Sequence, residues 1–145
     1  MDNSDTRLRF ITPDTASETE IPLAASGISA GFPSPAEDHL EPPLDLNRTL
    51  VRNPAATFFA RVDGDSMKDA CIRDGDLIVV DKSIAPYDGC VAVCFLDGEF
   101  TLKRVKTDRD RITLMPANER YKPIEIGPDD EFSIWGVVTY SIQKI

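Results

Sequence analysis

The chain has 145 residues, of which 41% are hydrophobic, and its formal net charge is −9. This length allows one domain with a modest core, and the acidic composition argues against a protein that holds nucleic acid through its own phosphate contacts. The sequence has no apolar run long enough to span a bilayer and no basic-then-apolar secretory pattern, so we expect a cytoplasmic protein.

The three cysteines, Cys71, Cys90 and Cys94, agree with a reducing compartment. Their odd number gives no closed disulfide framework, and their spacing matches no zinc motif. The single histidine, His39, is far from them in sequence. We therefore expect Cys90 and Cys94 to be packing residues, and we expect neither a metal site nor a cofactor.

The first part of the chain differs in composition from the rest. Seven of the eleven prolines fall in residues 1–54, with short apolar groups between polar residues. One of these groups, Leu8–Ile11, favours a short strand, but it is too short to form a core. We expect an extended N-terminal arm over residues 1–45 and a β-rich domain over residues 46–145.

One short helix is predicted at the start of the β-rich domain. Asp45 is suited to be its N-cap, and Pro54 ends it. Beyond it, apolar runs and alternating patterns bounded by turn residues are typical of strands. The predicted strands are 57–62, 77–80, 91–96, 99–105, 111–115 and 132–142.

Glycines mark two features of these strands. Asp97-Gly98 between two strands is the strongest short hairpin signal that a sequence offers. Gly136, inside the last strand, indicates a bulge or bend. Many short strands with almost no helix predict a mainly β fold, either a small folded β-barrel-like domain or a sandwich.

Ser66 and Lys103 form a candidate nucleophile and base. Ser66 follows the glycine turn at Gly64, and Lys103 lies on the predicted strand 99–105. A serine needs a base to take its proton, and a buried, neutral lysine can serve. On these two residues alone, a turn serine and an ordinary lysine remain the favoured interpretation, because such pairs are recognised by geometry.

The segment 30–36, with the sequence AGFPSPA, is a second candidate feature. Its two prolines bias it towards an extended backbone. Protease clefts bind extended backbone, because strand-like pairing presents the scissile carbonyl. Composition alone favours a linker with no further role.

Three motifs in their order and spacing resemble one known family. They are GDSM at 64–67, DGDL at 74–77 and GEFTLKR at 98–104. Together they resemble the LexA/UmuD-type (S24-type) peptidases, which are self-cleaving Ser-Lys proteins of the bacterial DNA-damage response. The resemblance covers roughly residues 30–143, and segment 30–36 looks like the UmuD cleavage region.

The resemblance implies a β-rich peptidase domain and a role for each matching residue. No cofactor or metal belongs to this implied chemistry. The implied roles are Ser66 as nucleophile, Lys103 as general base, Thr101 as support for the lysine, the backbone N–H groups of Ser66 and Met67 as oxyanion hole, and Ala30–Gly31 as the bond that is cut.

The same resemblance implies partners. A homodimer would cleave itself on contact with a RecA filament on single-stranded DNA, and would then join a UmuC-type Y-family DNA polymerase in translesion synthesis. We expect no sequence-specific DNA contact of its own and no membrane. Only 29 residues precede Ala30, and they are acidic, so we expect a UmuD-like protein rather than a repressor with a helix-turn-helix domain.

Two other functions stay open. The first is a polymerase-interaction module with an inactive dyad, and the second is a protease that cuts other proteins. A third question concerns Asp63, where many relatives have serine. An acidic group near Lys103 would favour the charged lysine and oppose its role as base, so we expect Asp63→Ser to speed alkaline self-cleavage unless Asp63 points away.

Overall fold

The computed structural model describes residues 6–18, 20–24 and 40–145. In these ranges the chain is mainly β, which confirms the predicted fold class. The strands are β1 (Thr6–Ile11), β2 (Glu20–Ala24), β3 (Leu40–Asp45), β4 (Thr57–Gly64), β5 (Leu77–Asp81), β6 (Val91–Leu96), β7 (Glu99–Asp108), β8 (Arg111–Met115), β9 (Ile124–Glu125) and β10 (Phe132–Ile142). The helices are α1 (Leu46–Leu50) and a 3-10 turn at Lys68–Ala70.

The described residues belong to two compact units. One unit comprises the stretch up to Pro13 and Asn53–Ile145, and it contains β1 and β4 to β10. The other, Asp14–Arg52, contains the hairpin of β2 and β3 together with α1. The strand expected at Leu8–Ile11 is confirmed as part of β1. The boundary between an arm and a domain at residue 45 stays a prediction.

An antiparallel eight-stranded sheet organises the first unit, in the order β1-β4-β5-β10-β6-β7-β8-β9. β6 and β7 form a hairpin, whereas β10 pairs with both β5 and β6, which are far from it in sequence. The sheet is curled. Phe10 of β1 packs against Phe100 of β7 with ring centroids 5.1 Å apart, although the two strands are not neighbours in the sheet. Curling closes one face of the sheet over an apolar core, which includes the fully buried Ile78, Val80 and Val93.

The predicted glycine features are confirmed. Asp97 and Gly98 both have positive φ, 48° and 88°, as a two-residue type I′ hairpin turn requires. At Gly136 the register between β10 and β6 shifts. A Cβ at this position would lie 2.5 Å from Val80 Cγ1, so the Val80 side chain occupies the space that a side chain at position 136 would need.

The predicted helix cap is also confirmed. The Asp45 carboxylate accepts a hydrogen bond from the Asn47 N–H at 3.0 Å and satisfies one of the free donors at the start of α1. None of the helices in the described ranges is long and apolar enough to cross a membrane.

Candidate active site

Ser66 lies in a tight turn directly after β4. Gly64 ends the strand with φ 128°, a conformation that side chains disfavour, and its N–H donates to the Asp74 carboxylate at 2.8 Å. The chain then turns into the 3-10 helix Lys68–Ala70. Ser66 and Met67 are buried in this turn, with 0% and 1% of their surface exposed. The turn therefore places the Ser66 side chain in the protein interior.

Lys103 reaches the same place from the middle of β7. Its amine lies 3.4 Å from Ser66 Oγ, across 37 residues of sequence. The antiparallel sheet closes this separation, because β7 pairs with β6 and β10 links β6 to β5 and so to β4. Lys103 is 2% exposed and is among the largest fully buried side chains of the described residues.

Two oxygens fix the position of the lysine amine. Nζ lies 3.0 Å from the Thr101 hydroxyl and 3.2 Å from the Leu102 carbonyl oxygen. Thr101 is two positions before Lys103, so both side chains lie on the same face of β7. The carbonyl can only accept a hydrogen bond, so one amine hydrogen is committed to it.

A buried thiol borders the lysine. Cys94 on β6 lies opposite Thr101 in the strand register. Burial, and to a smaller extent the neighbouring Cys90, raise the pKa of the Cys94 thiol to about 12 against an opposing effect of Lys103. Cys94 is therefore uncharged at neutral pH and places no thiolate beside the amine. Both cysteines belong to a buried apolar cluster, as expected for packing residues.

The Asp63 carboxylate pairs with an arginine of β1. Its carboxylate contacts the Arg9 guanidinium of β1 at 3.1 Å and 3.3 Å. The neighbouring Val62 is buried in the core, and successive side chains of a strand point to opposite faces. The structure thus favours the alternative in which Asp63 points away from the site.

A loop after β8 is hydrogen-bonded to the turn that contains Ser66, and the sequence analysis did not predict this contact. The Asn118 amide donates to the Asp65 carbonyl at 2.8 Å, and the Tyr121 hydroxyl contacts the Asp65 carboxylate at 2.8 Å. The backbone of Ala117 adds a bond to Ser66 O at 2.8 Å. Asn118 is only 3% exposed. We name residues 117–121 the clasp loop; its asparagine is 53 residues from Asp65 and resembles an ordinary turn residue.

The other predicted site residues have different outcomes. Ala30 and Gly31, the expected cleavage dipeptide, lie outside the described residues. The oxyanion-hole role of the Ser66 and Met67 N–H groups stays a prediction. Within the described ranges, no group of three or more His, Cys, Asp or Glu side chains is arranged to hold a metal ion.

Residues 22–139 match the family model described as Peptidase S24-like. The chain belongs to this family of S24-like peptidases. Two similar family relatives span most of the chain. The protein SamA of Salmonella typhimurium is 46% identical over 127 residues, which are 88% of this chain and 88% of SamA. The protein MucA of Escherichia coli is 46% identical over 123 residues, 84% of each chain.

A third relative of this S24-like peptidase is a repressor. The LexA repressor of Stenotrophomonas maltophilia is 41% identical over 110 residues, which are 76% of this chain but only 52% of the repressor. The predicted resemblance to the LexA/UmuD-type family, and within it to UmuD-like proteins, is confirmed by these matches. The family places the chain among the serine peptidases.

Proposed function

We propose that this UmuD-like protein cuts its own chain between Ala30 and Gly31, with Ser66 as nucleophile and Lys103 as general base. The observation that carries the proposal is the 3.4 Å contact between Lys103 Nζ and Ser66 Oγ in a buried site. Contacts of a nucleophile with its base are often somewhat long before substrate binds and tighten in the reacting complex. Membership of a serine-peptidase family supports the same chemistry.

The surroundings of the amine suit a base. In the proposal Lys103 acts in its neutral form, because only a neutral amine accepts a proton. A neutral amine has two hydrogens and one lone pair. With the Leu102 carbonyl and the Thr101 hydroxyl as acceptors for the two hydrogens, the lone pair can accept the proton of the Ser66 hydroxyl. Thr101 then acts as a positioning residue.

The reaction runs in two stages. Lys103 Nζ takes the proton of Ser66 Oγ while Oγ attacks the carbonyl carbon of Ala30. The tetrahedral intermediate collapses, the C–N bond to Gly31 breaks, and the lysine ammonium returns the proton to the leaving amine. Water, deprotonated by the same lysine, then hydrolyses the Ala30 ester and releases Ser66.

In the proposal, the turn around Ser66 positions backbone N–H groups that stabilise the negative charge of the reaction, and the clasp loop holds this turn. In the proposal, the backbone N–H groups of Ser66 and Met67 donate to the oxyanion that forms on the Ala30 carbonyl. Donors in a water-excluded site need no reorganisation when charge develops, and loss of one such donor typically costs 10²–10³-fold in rate. Asn118 and Tyr121 hold the turn from the adjoining residue, Asp65.

The wider role follows from the UmuD-like resemblance. We infer a homodimer whose self-cleavage is promoted by a RecA filament on single-stranded DNA. The shortened protein then serves as the accessory subunit of a UmuC-type translesion polymerase, in SOS mutagenesis. A filament that favours the docked position of the segment around Ala30 raises the rate by shifting an existing equilibrium.

Incubation of the full chain at alkaline pH, with and without activated filament, tests the peptidase. Intact mass spectrometry will show fragments 1–30 and 31–145 from the wild type, while Ser66→Ala and Lys103→Ala stay at full length. Full-length wild type after exposure to the filament would reject the proposal. Cleavage at the same bond in Ser66→Ala would reject the assigned nucleophile.

A further inference from the structure

The first strand of the protein lies on the edge of the main sheet. β1 pairs antiparallel with β4, from Thr6 opposite Gly64 to Ile11 opposite Phe59. The other side of β4 is occupied by β5. An edge strand supplies a row of backbone donors and acceptors, so any extended segment of suitable side chains can take the place of β1.

The side chains of β1 show which segment this edge accepts. Leu8 packs against the core next to the strand partners of β1, and Phe10 contacts Trp135 and Phe100 with centroid distances of 4.7 and 5.1 Å. Arg9, on the opposite face, pairs with Asp63 at 3.1 Å. We call the β4 edge at residues 59–64, with Phe100 and Trp135, the strand groove. It takes an aliphatic, a basic and an aromatic residue in succession.

The interactions that hold β1 in the strand groove are weak. Phe10 remains 36% exposed and Ile11 44%, and the ion pair is exposed on both sides, which makes it weak. While β1 belongs to the same chain, its effective concentration at the groove is on the order of millimolar. A separate fragment at micromolar concentration is at a roughly thousandfold disadvantage relative to that value.

The proposed cut separates β1 from its groove. Ala30–Gly31 lies in sequence between β2 and β3, so β1 and β2 belong to the released fragment and β3 to β10 to the remaining chain. We propose that β1 occupies the strand groove as an internal ligand, and that after cleavage the groove binds an extended aliphatic-basic-aromatic segment of a partner protein. Only the release step rests on the proposed self-cleavage.

The occupancy is tested on the full chain with Ser66→Ala, so that no self-cleavage is needed. Phe10→Asp places a charge in the aromatic contact and should displace β1. Ile11→Asp is the matched control, since Ile11 is the adjacent residue, has similar exposure and lies on the other face of β1. The probe is a fluorescein-labelled peptide of residues 6–13, TRLRFITP, and binding is measured by anisotropy.

We expect the Phe10→Asp chain to bind the peptide at least tenfold more tightly than the Ile11→Asp chain. A peptide with Arg9→Glu should bind about threefold more weakly, and Asp63→Lys in the chain should restore it, as expected for an exposed ion pair. Trp135, the single tryptophan, reports independently: its emission should shift to the red in Phe10→Asp and return when peptide binds.

Four results would overturn the proposal. The first two are equal binding to both variants and equal binding of a peptide with the same residues in scrambled order. The third is a concentration-dependent dimer of the Ser66→Ala chain that Phe10→Asp dissociates and Ile11→Asp does not, which would make a second copy's β1 the occupant. The fourth, in the wild type, is a cleaved fragment 1–30 that co-elutes with 31–145 at micromolar concentration. Peptide binding without any self-cleavage would keep the groove and reject the peptidase.

Discussion

Two basic residues of the same sheet, Lys103 and Arg9, differ in exposure and in their partners. Lys103 is 2% exposed and its amine contacts the Thr101 hydroxyl, whereas the Arg9 side chain is 68% exposed and pairs with a carboxylate. The buried lysine amine lies 3.4 Å from Ser66 Oγ, which is the contact that the proposed base needs. Water screens the arginine, so its ion pair is worth at most about 1 kcal/mol. The same sheet thus holds a buried lysine on β7 and an exposed ion pair at its β1 edge.

The largest effect should come from replacing Lys103 by arginine. A guanidinium stays protonated and cannot act as a base, so self-cleavage should fall by about 10²–10⁴-fold. Arg9→Lys, which also exchanges one cation for another, should leave the rate within about twofold, since an exposed pair contributes little. The measurement is the first-order rate of fragment appearance at alkaline pH. Comparable losses in both variants would remove the distinction between the two regions.

The clasp loop should show the next largest effect. Asn118→Ala removes a buried donor to the Asp65 carbonyl and should lower the free energy of unfolding by about 1–3 kcal/mol. It should also slow self-cleavage by roughly tenfold at temperatures where the chain is folded, because Ser66 loses its fixed position. Glu119→Ala, at the exposed neighbouring position, is the control. Denaturant midpoints and cleavage rates of both variants are compared.

A smaller prediction for the clasp concerns Tyr121→Phe. This change removes only the hydroxyl that contacts the Asp65 carboxylate, so it should slow cleavage less than Asn118→Ala does. If Tyr121→Phe is slower than Asn118→Ala, the carboxylate of Asp65 rather than its backbone positions the turn.

The buried thiol gives a prediction about pH. The pKa of Cys94 is raised from 9.0 to about 12 in the folded chain, so the unfolded chain loses this proton first as pH rises. Between pH 9 and 12 this thiol should therefore lower the free energy of unfolding by up to about 1.4 kcal/mol per pH unit. Below pH 9 its contribution is constant. Urea unfolding at several pH values should show a shallower slope for Cys94→Ala, and an unchanged slope would contradict the assignment.

The smallest effect is expected at Asp63. The sequence predicted faster alkaline cleavage for Asp63→Ser, but the carboxylate is engaged with Arg9. We now expect a rate within about threefold of the wild type and a stability loss of at most about 1 kcal/mol. A large acceleration would show that the Asp63 carboxylate affects Lys103 electrostatically in spite of its ion pair with Arg9.

The strands and turns were readable from the sequence because they depend on local chemistry. Asp97-Gly98 favours positive φ, and alternating apolar residues mark a sheet face in any context. The strand at Leu8–Ile11 was also visible. Its partner was not, since nothing in six residues states that they pair with β4 rather than belong to a free arm. The clasp loop was invisible for the same reason: Asn118 and Asp65 meet only after the sheet has formed.

By itself, the sequence determined the mainly β class, the positions of most strands and, through its motifs, the LexA/UmuD resemblance. Only the tertiary structure decided that Ser66 and Lys103 lie 3.4 Å apart, that Asp63 is paired with Arg9, and that β1 fills the edge of β4. The physical reason is range: turn and strand preferences act within a few residues, whereas burial and hydrogen bonding join residues that the sheet brings together.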